Sequence, residues 1–166
     1  MIRSFGGKTP QIAESAFVSE AAYVVGDVEI GENSGIWPSA VIRGDFGRIK
    51  IGCNTQIEDN SVLHAGVEIG DNVIIGHGVV VEGKKVGNNT LIGNNATVLS
   101  EVEIGNFCII GANCLVTQRM KIPDKSFVAG VPGKIKGETS PQQLWWVEEG
   151  SQSYGPLVRQ YKEQGL

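Results

Sequence analysis

Only two histidines occur among the 166 residues of this chain, His64 and His77. His64 and Glu82 are 18 residues apart with no insertion between them. In a chain that winds in 18-residue coils, that separation stacks both side chains on one outward face, one strand spacing apart. An imidazole beside a carboxylate at that distance is a ligand pair for a divalent metal. His77 falls on a different face and does not reach the pair within one chain. In a threefold assembly one subunit's face meets a different face of the next, and the three side chains converge. Two histidines, one glutamate and a water make a catalytic zinc arrangement. Such a metal acts as a Lewis acid and yields a hydroxide nucleophile near neutral pH. A plainer reading stays open on the residues alone, because a lone histidine on a solenoid is more often a solvated or interface side chain.

The winding is legible as a six-residue period. Steps of six run from Val18 through Val24, Ile30 and Ile36 to Ile42, then from Ile51 to Val81, then from Val86 to Val128. Every one of these positions is Val, Ile or Leu. Eight are followed directly by glycine, among them Gly31, Gly52, Gly87 and Gly105, and glycine makes up 23 residues of the chain. The position two before the aliphatic residue is often small, as at Ser34, Thr55, Ser61, Cys108 and Cys114. A period of six fits neither a 3.6-residue helix nor a single alternating strand. It fits short β-segments joined by tight corners, each with one aliphatic side chain pointing inward. Three segments close a triangular coil, and coils stack at the interstrand spacing of about 4.8 Å. Each coil buries its interior only against its neighbours, as in any solenoid. The expected fold is an all-β solenoid, a left-handed parallel β-helix of six such coils about 29 Å long.

Two register changes interrupt the period. Three extra residues fall around Gly44-Asp45-Phe46, and one residue is missing at Lys84-Lys85. Loops that break a solenoid are either tolerated surface excursions or markers of its functional face. After Val128 the pattern stops, and Thr139-Ser140-Pro141 reads as a helix start. Leu144, Trp145, Val147, Leu157, Val158 and Tyr161 form the expected buried stripe of a helix broken at Gly150 and Pro156. The chain thus divides into a solenoid over 1–137 and a C-terminal α-helical tail over 138–166, packing on the solenoid or on a neighbouring subunit.

Composition narrows the classes. The formal charge of −4 leaves no basic excess for nucleic acid. No apolar run approaches the roughly 20 residues of a membrane span, and the first ten residues carry no secretion signature, so a cytoplasmic protein is expected. Three cysteines at unrelated spacings make neither a disulfide framework nor a metal knuckle.

Arg43-Gly44-Asp45, the string IKIGCNTQIEDNSVLH ending at His64, IGHG around His77 and the PGK segment at Pro132 together resemble the γ-class carbonic anhydrases. The hexapeptides alone are shared with acyltransferases, whereas this series is specific. The resemblance covers essentially the whole chain. It implies a homotrimer with metal between subunits and reversible hydration of CO2 to bicarbonate, a lyase activity. The implied ligands are His64, His77 and Glu82, the last where the family carries a third histidine. Zn2+ is the implied ion, with Fe2+, Co2+ or Mn2+ as alternatives. Glu58 takes the place of the family's glutamine that orients hydroxide. Arg43 and Asp45 match its intersubunit pair, Asp59 a further motif acid, and Tyr154 a tail tyrosine near the site. Phe46 stands where the archetype carries a proton-transferring glutamate.

The departures have physical consequences. A glutamate ligand lowers the net charge of the centre, so its water is less acidic, and activity is expected to be weak or lost. Two alternatives are a hexapeptide acyltransferase or thioesterase, and a non-catalytic trimeric scaffold.

Overall fold

A computed structural model describes residues 1–150 and 153–166 with their side chains, and residues 151 and 152 by backbone alone. The aliphatic positions of the six-residue series are buried from Val24 through Val128, and Val18 is partly buried against them. One inward side chain per short strand thus builds a single continuous interior. The chain forms a parallel β-solenoid of about 7 turns, followed by a helix. The added turn comes from the amino-terminal segment: Ile2–Arg3 and Gln11–Ile12 both pair parallel with Tyr23–Ile30. Ile12 lies one six-residue step upstream of Val18.

The strands fall on three faces. Phe17–Val18, Gly35–Ile36, Gln56–Ile57, Ile74–Ile75, Leu91–Ile92, Ile109–Ile110 and Ser126–Ala129 stack as one face of an 8-stranded sheet, closed at its far edge by the antiparallel Lys134–Glu138. The other two faces are joined into a 12-stranded sheet, because Tyr23–Ile30 and Val41–Ile51 run unbroken around the corner between them. On the first of these, Val62–His64, Val80–Val81, Thr97–Val98 and Leu115–Val116 follow in register. On the second, Glu68–Ile69, Lys85–Val86, Glu103–Ile104 and Lys121–Ile122 do the same.

Corners are made by residues in the left-handed region, which is why asparagine recurs at Asn54, Asn72, Asn89 and Asn113. The small residues two before each inward position are buried beneath the corners. Their hydroxyls knit coil to coil. Ser34 Oγ donates to the Gly52 carbonyl at 2.7 Å and accepts from the Thr55 N–H at 2.9 Å, and Thr55 repeats the pattern toward Gly70. Cys108 occupies the equivalent place, its Sγ 3.2 Å from the Pro123 carbonyl. Burial pushes the thiols of Cys108 and Cys114 up from their ordinary value. Titration of the native protein with a disulfide reagent should therefore show prompt reaction at the half-buried Cys53 alone. Prompt reaction of all three thiols before unfolding would contradict that burial.

Both expected interruptions are present, one slightly displaced. Gly44 still pairs with Gly26, and the three extra residues arise because 45–48 stand opposite Asp27 alone. At the shortened corner the N–H groups of Lys84 and Lys85 share the Val102 carbonyl, at 2.8 and 3.2 Å.

The tail corrects the sequence expectation in two respects. Ser140 caps the helix and Gln143 completes a capping box, as the start signal indicated. The helix then runs unbroken over Pro141–Gln164, through Gly150 and Pro156. Packing overrides the breakers. Pro156 faces outward, and Gly150 lets the helix approach the solenoid, where an added Cβ would lie 2.5 Å from Ile74 Cδ1. Val147 and Val158 are buried as expected, but Trp145 is 49% and Trp146 61% exposed, and the two rings stack edge-on against each other. No helix among the described residues is long and apolar enough to cross a membrane.

Candidate functional site

His64 ends Val62–His64 at the corner between the two faces of the larger sheet. Pairing sets Arg43 opposite His64 on one side and Val81 opposite Leu63 on the other. Continuing the register by one residue places Glu82 beside His64 at about 4.8 Å. Among the described residues the Glu82 carboxylate meets a single long contact, 3.5 Å from Ser100 Oγ. On the opposite side, the extra residues after Gly44 bring Asp45 over the imidazole. Asp45 Oδ1 lies 3.2 Å from His64 Nε2 and accepts from the Phe46 N–H at 3.1 Å. Asp45 Oδ2 accepts from Arg43 Nε at 3.2 Å and Nη2 at 3.0 Å. Desolvation pushes the Asp45 carboxyl up, but the Arg43 hydrogen bonds and charge, its own backbone N–H and His64 together hold it below its usual value. The Phe46 ring stands edge-on to His64 at 5.5 Å while remaining 82% exposed.

His77 occupies a second corner, between the 8-stranded sheet and the face that ends in His64, so it borders that same face at its other edge rather than lying on a different face as the spacing suggested. Its backbone N–H donates to Asn94 Oδ1, which leaves the ring to project. Both ring nitrogens face carboxylates: Nδ1 lies 3.0 Å from Asp59 Oδ2, and Nε2 lies 3.1 Å from Glu58 Oε2. The Glu58 side chain is 9% exposed, against 53% for His77. Its other oxygen, Oε1, accepts a short hydrogen bond from Tyr154 Oη. Burial, then the hydrogen bond to Glu58 and its charge, push the Tyr154 hydroxyl well above its ordinary value, so it remains a donor.

The helix puts Tyr154 there. Val158, Leu157 and Tyr161 pack on Phe17 and Trp37, with Trp37 5.4 Å from the Tyr154 ring and 5.1 Å from Tyr161. Trp37 is itself anchored, its indole N–H donating to the buried Gln56 Oε1 at 3.0 Å. This aromatic seat was missed in the sequence. Its signal was available: Phe17 and Trp37 flank inward positions, and side chains next to an inward one must point outward.

Two clusters therefore form in one chain, Arg43–Asp45–His64 and Glu58–Asp59–His77–Tyr154. The expected ligands His64, His77 and Glu82 are not gathered in one chain: among the described residues no three His, Cys, Asp or Glu side chains make a metal site. Each histidine nevertheless has one ring nitrogen facing an aspartate, Asp45 for His64 and Asp59 for His77. That is the outer-shell arrangement that fixes the tautomer and direction of a metal-binding imidazole. These imidazole and carboxylate donors are of the type that fits a divalent metal, each corner supplying part of a ligand set.

Residues 48–83 and 83–118 match the family described as bacterial transferase hexapeptide (six repeats). A Methanocaldococcus jannaschii protein named "Probable carbonic anhydrase" is 43% identical over 150 residues, covering 88% of this chain and 94% of that protein. The Arabidopsis thaliana "Gamma carbonic anhydrase 2, mitochondrial" is 32% identical over 162 residues, or 92% of this chain; the chain spans 58% of that relative's length. Among solved structures, a hexapeptide transferase family protein from Anaplasma phagocytophilum superimposes with a TM-score of 0.92 at 29% identity, covering 96% of this chain and 97% of that one. With the coil period and 43% identity over 88% of the chain to a carbonic-anhydrase-named relative, the chain belongs to the γ-carbonic anhydrase family of hexapeptide-repeat proteins.

Proposed function

We propose that this chain forms a cyclic homotrimer that holds a divalent metal between subunits and hydrates CO2 reversibly at that site. The observation that carries the reading is the placement of the two half-sites. His64 and Glu82 sit at one edge of a face, and His77 at the other edge of that same face. Between the edges the outward column runs Tyr23, Val41, Val62, Val80, Thr97 and Leu115, half-buried beyond the exposed Tyr23 and apolar except at Thr97. By contrast, the neighbouring face alternates Glu29, Lys50, Glu68, Lys85, Glu103 and Lys121 in register, a pattern suited to water. Burying the apolar face against a second copy in a closed ring brings unlike edges together.

The chain's own residues then have definable work. His64 and Glu82 from one subunit and His77 from the next would hold the metal, oriented by Asp45 and Asp59. The metal, when bound, supplies a Lewis acid that activates water near neutral pH. Arg43 keeps Asp45 ionised and fixed over His64. Tyr154 donates to Glu58 and holds its carboxylate at the His77 ring. Phe46 offers an apolar wall beside His64, and no proton-carrying group at that position.

A mixing experiment tests the shared site. His64→Ala and His77→Ala trimers should each lose metal. Refolded together from equal amounts, they should regain it at about a quarter of the sites, because an intact site needs one chain of each kind in the right order. No regain in mixed trimers would overturn the shared site. The transferase name of the Anaplasma structural neighbour supports a second reading. Turnover of acyl-coenzyme A by metal-free His64→Ala protein would favour it.

A further inference from the structure

Glu58 has an acidic side chain at a buried place where it must have a partner for its charge. Its two oxygens are divided between two groups. Oε1 is taken by the Tyr154 hydroxyl. Oε2 lies 3.1 Å from His77 Nε2, the nitrogen that remains for a metal once Asp59 holds Nδ1. Two donor atoms each about 2.1 Å from one divalent ion are about 3.0 Å apart at a right angle, and about 3.4 Å apart at the tetrahedral angle. The observed separation lies at the right-angled end. An ion seated between Nε2 and Oε2 would fit the observed separation with no movement of the backbone.

The geometry points to Glu58 as a fourth protein ligand, so that His64 and Glu82 of one subunit join His77 and Glu58 of the next in a two-histidine, two-carboxylate set. This assignment rests on the shared site proposed above. Two carboxylates cancel the charge of a divalent ion and add oxygen donors. Such a set with cis angles near 90° favours an octahedral ion, Mn2+ or Fe2+, over tetrahedral Zn2+. Tyr154 is then a positioning residue: by occupying Oε1 it leaves Oε2 as the oxygen that ligates.

Cobalt and manganese serve as probes. The wild-type trimer loaded with Co2+ should show the weak visible absorption of a centre with about six ligands. In Glu58→Gln the band should intensify several-fold, and Mn2+ affinity should fall by roughly 100-fold, while Zn2+ affinity falls by less than about tenfold. Tyr154→Phe, which keeps the carboxylate, should bind Mn2+ within about tenfold of wild type. Unchanged absorption and affinities in a metal-loaded Glu58→Gln trimer would overturn the assignment and leave the shared site standing. If that variant fails to assemble, Glu58→Asp decides: a changed Co2+ absorption with weakened Mn2+ binding supports the assignment, and unchanged values overturn it. A wild-type trimer that takes up none of the three ions overturns both this assignment and the reading beneath it.

Discussion

Gly87→Ala should lower the thermal midpoint by roughly 6–12 °C, from a loss of about 3 kcal/mol. A methyl at Gly87 would sit 2.6 Å from both the carbonyl carbon and oxygen of Gly105, and 2.7 Å from the Asn106 nitrogen. All three atoms are backbone of the next coil. They cannot swing aside, because Gly87 N–H already donates to the Ile104 carbonyl at 2.9 Å and Asn106 N–H is held by Asp124 at 2.8 Å. Relief must come from separating two coils, which opens the interior around Val86 and Ile104. Gly111→Ala is the control at the same point of the hexapeptide. There the nearest atom is the Ala129 Cβ at 3.3 Å, and the loss should stay under about 1 kcal/mol. Calorimetry of the two variants decides, and equal midpoints would show that coil-to-coil contact is not what excludes a side chain at Gly87.

Glu82→His should raise CO2 hydration at pH 7 by on the order of tenfold or more, with metal content unchanged. Register with Val62–His64 keeps residue 82 on the His64 column whatever its type, so the new imidazole projects where the carboxylate did. Among the described residues the half-buried Glu82 makes one side-chain contact, the long one to Ser100, so little else is lost. Replacing an anionic donor by a neutral one makes the centre one unit more positive and a stronger Lewis acid. The pH midpoint of the activity should therefore shift downward as well. Stopped-flow measurement with a pH indicator reads both effects. A filled site with no gain in rate would mean that Glu82 is not what limits this centre.

Much of the molecule was legible from one step size. Val, Ile or Leu at every sixth residue fixes inward from outward, and the arithmetic from Leu63 to Val81 already placed Glu82 beside His64. The glycines and the small residues two before each inward position follow from the same period. The helix start was legible too, because a hydroxyl cap and a following proline act within one turn. The continuation of the helix was not. Gly150 and Pro156 are breakers by local propensity, and only the solenoid surface that the helix packs on keeps it whole. Trp145 was misjudged for the same reason, since its place on the helix says nothing of which side meets the solenoid.

The sequence by itself thus determined the coil, its stacking and the columns on which the acids and histidines stand. These depend on residues a fixed short distance apart, and burial of each inward side chain needs only the adjacent coil. The tertiary structure alone decided which groups face those histidines. Asp45 reaches His64 through a bulge whose path no period specifies. Tyr154 meets Glu58 across 96 residues of chain, because Phe17 and Trp37 present an aromatic seat to a helix formed at the other end. Contacts of that kind come from packing surfaces against each other, and no spacing along the chain encodes them.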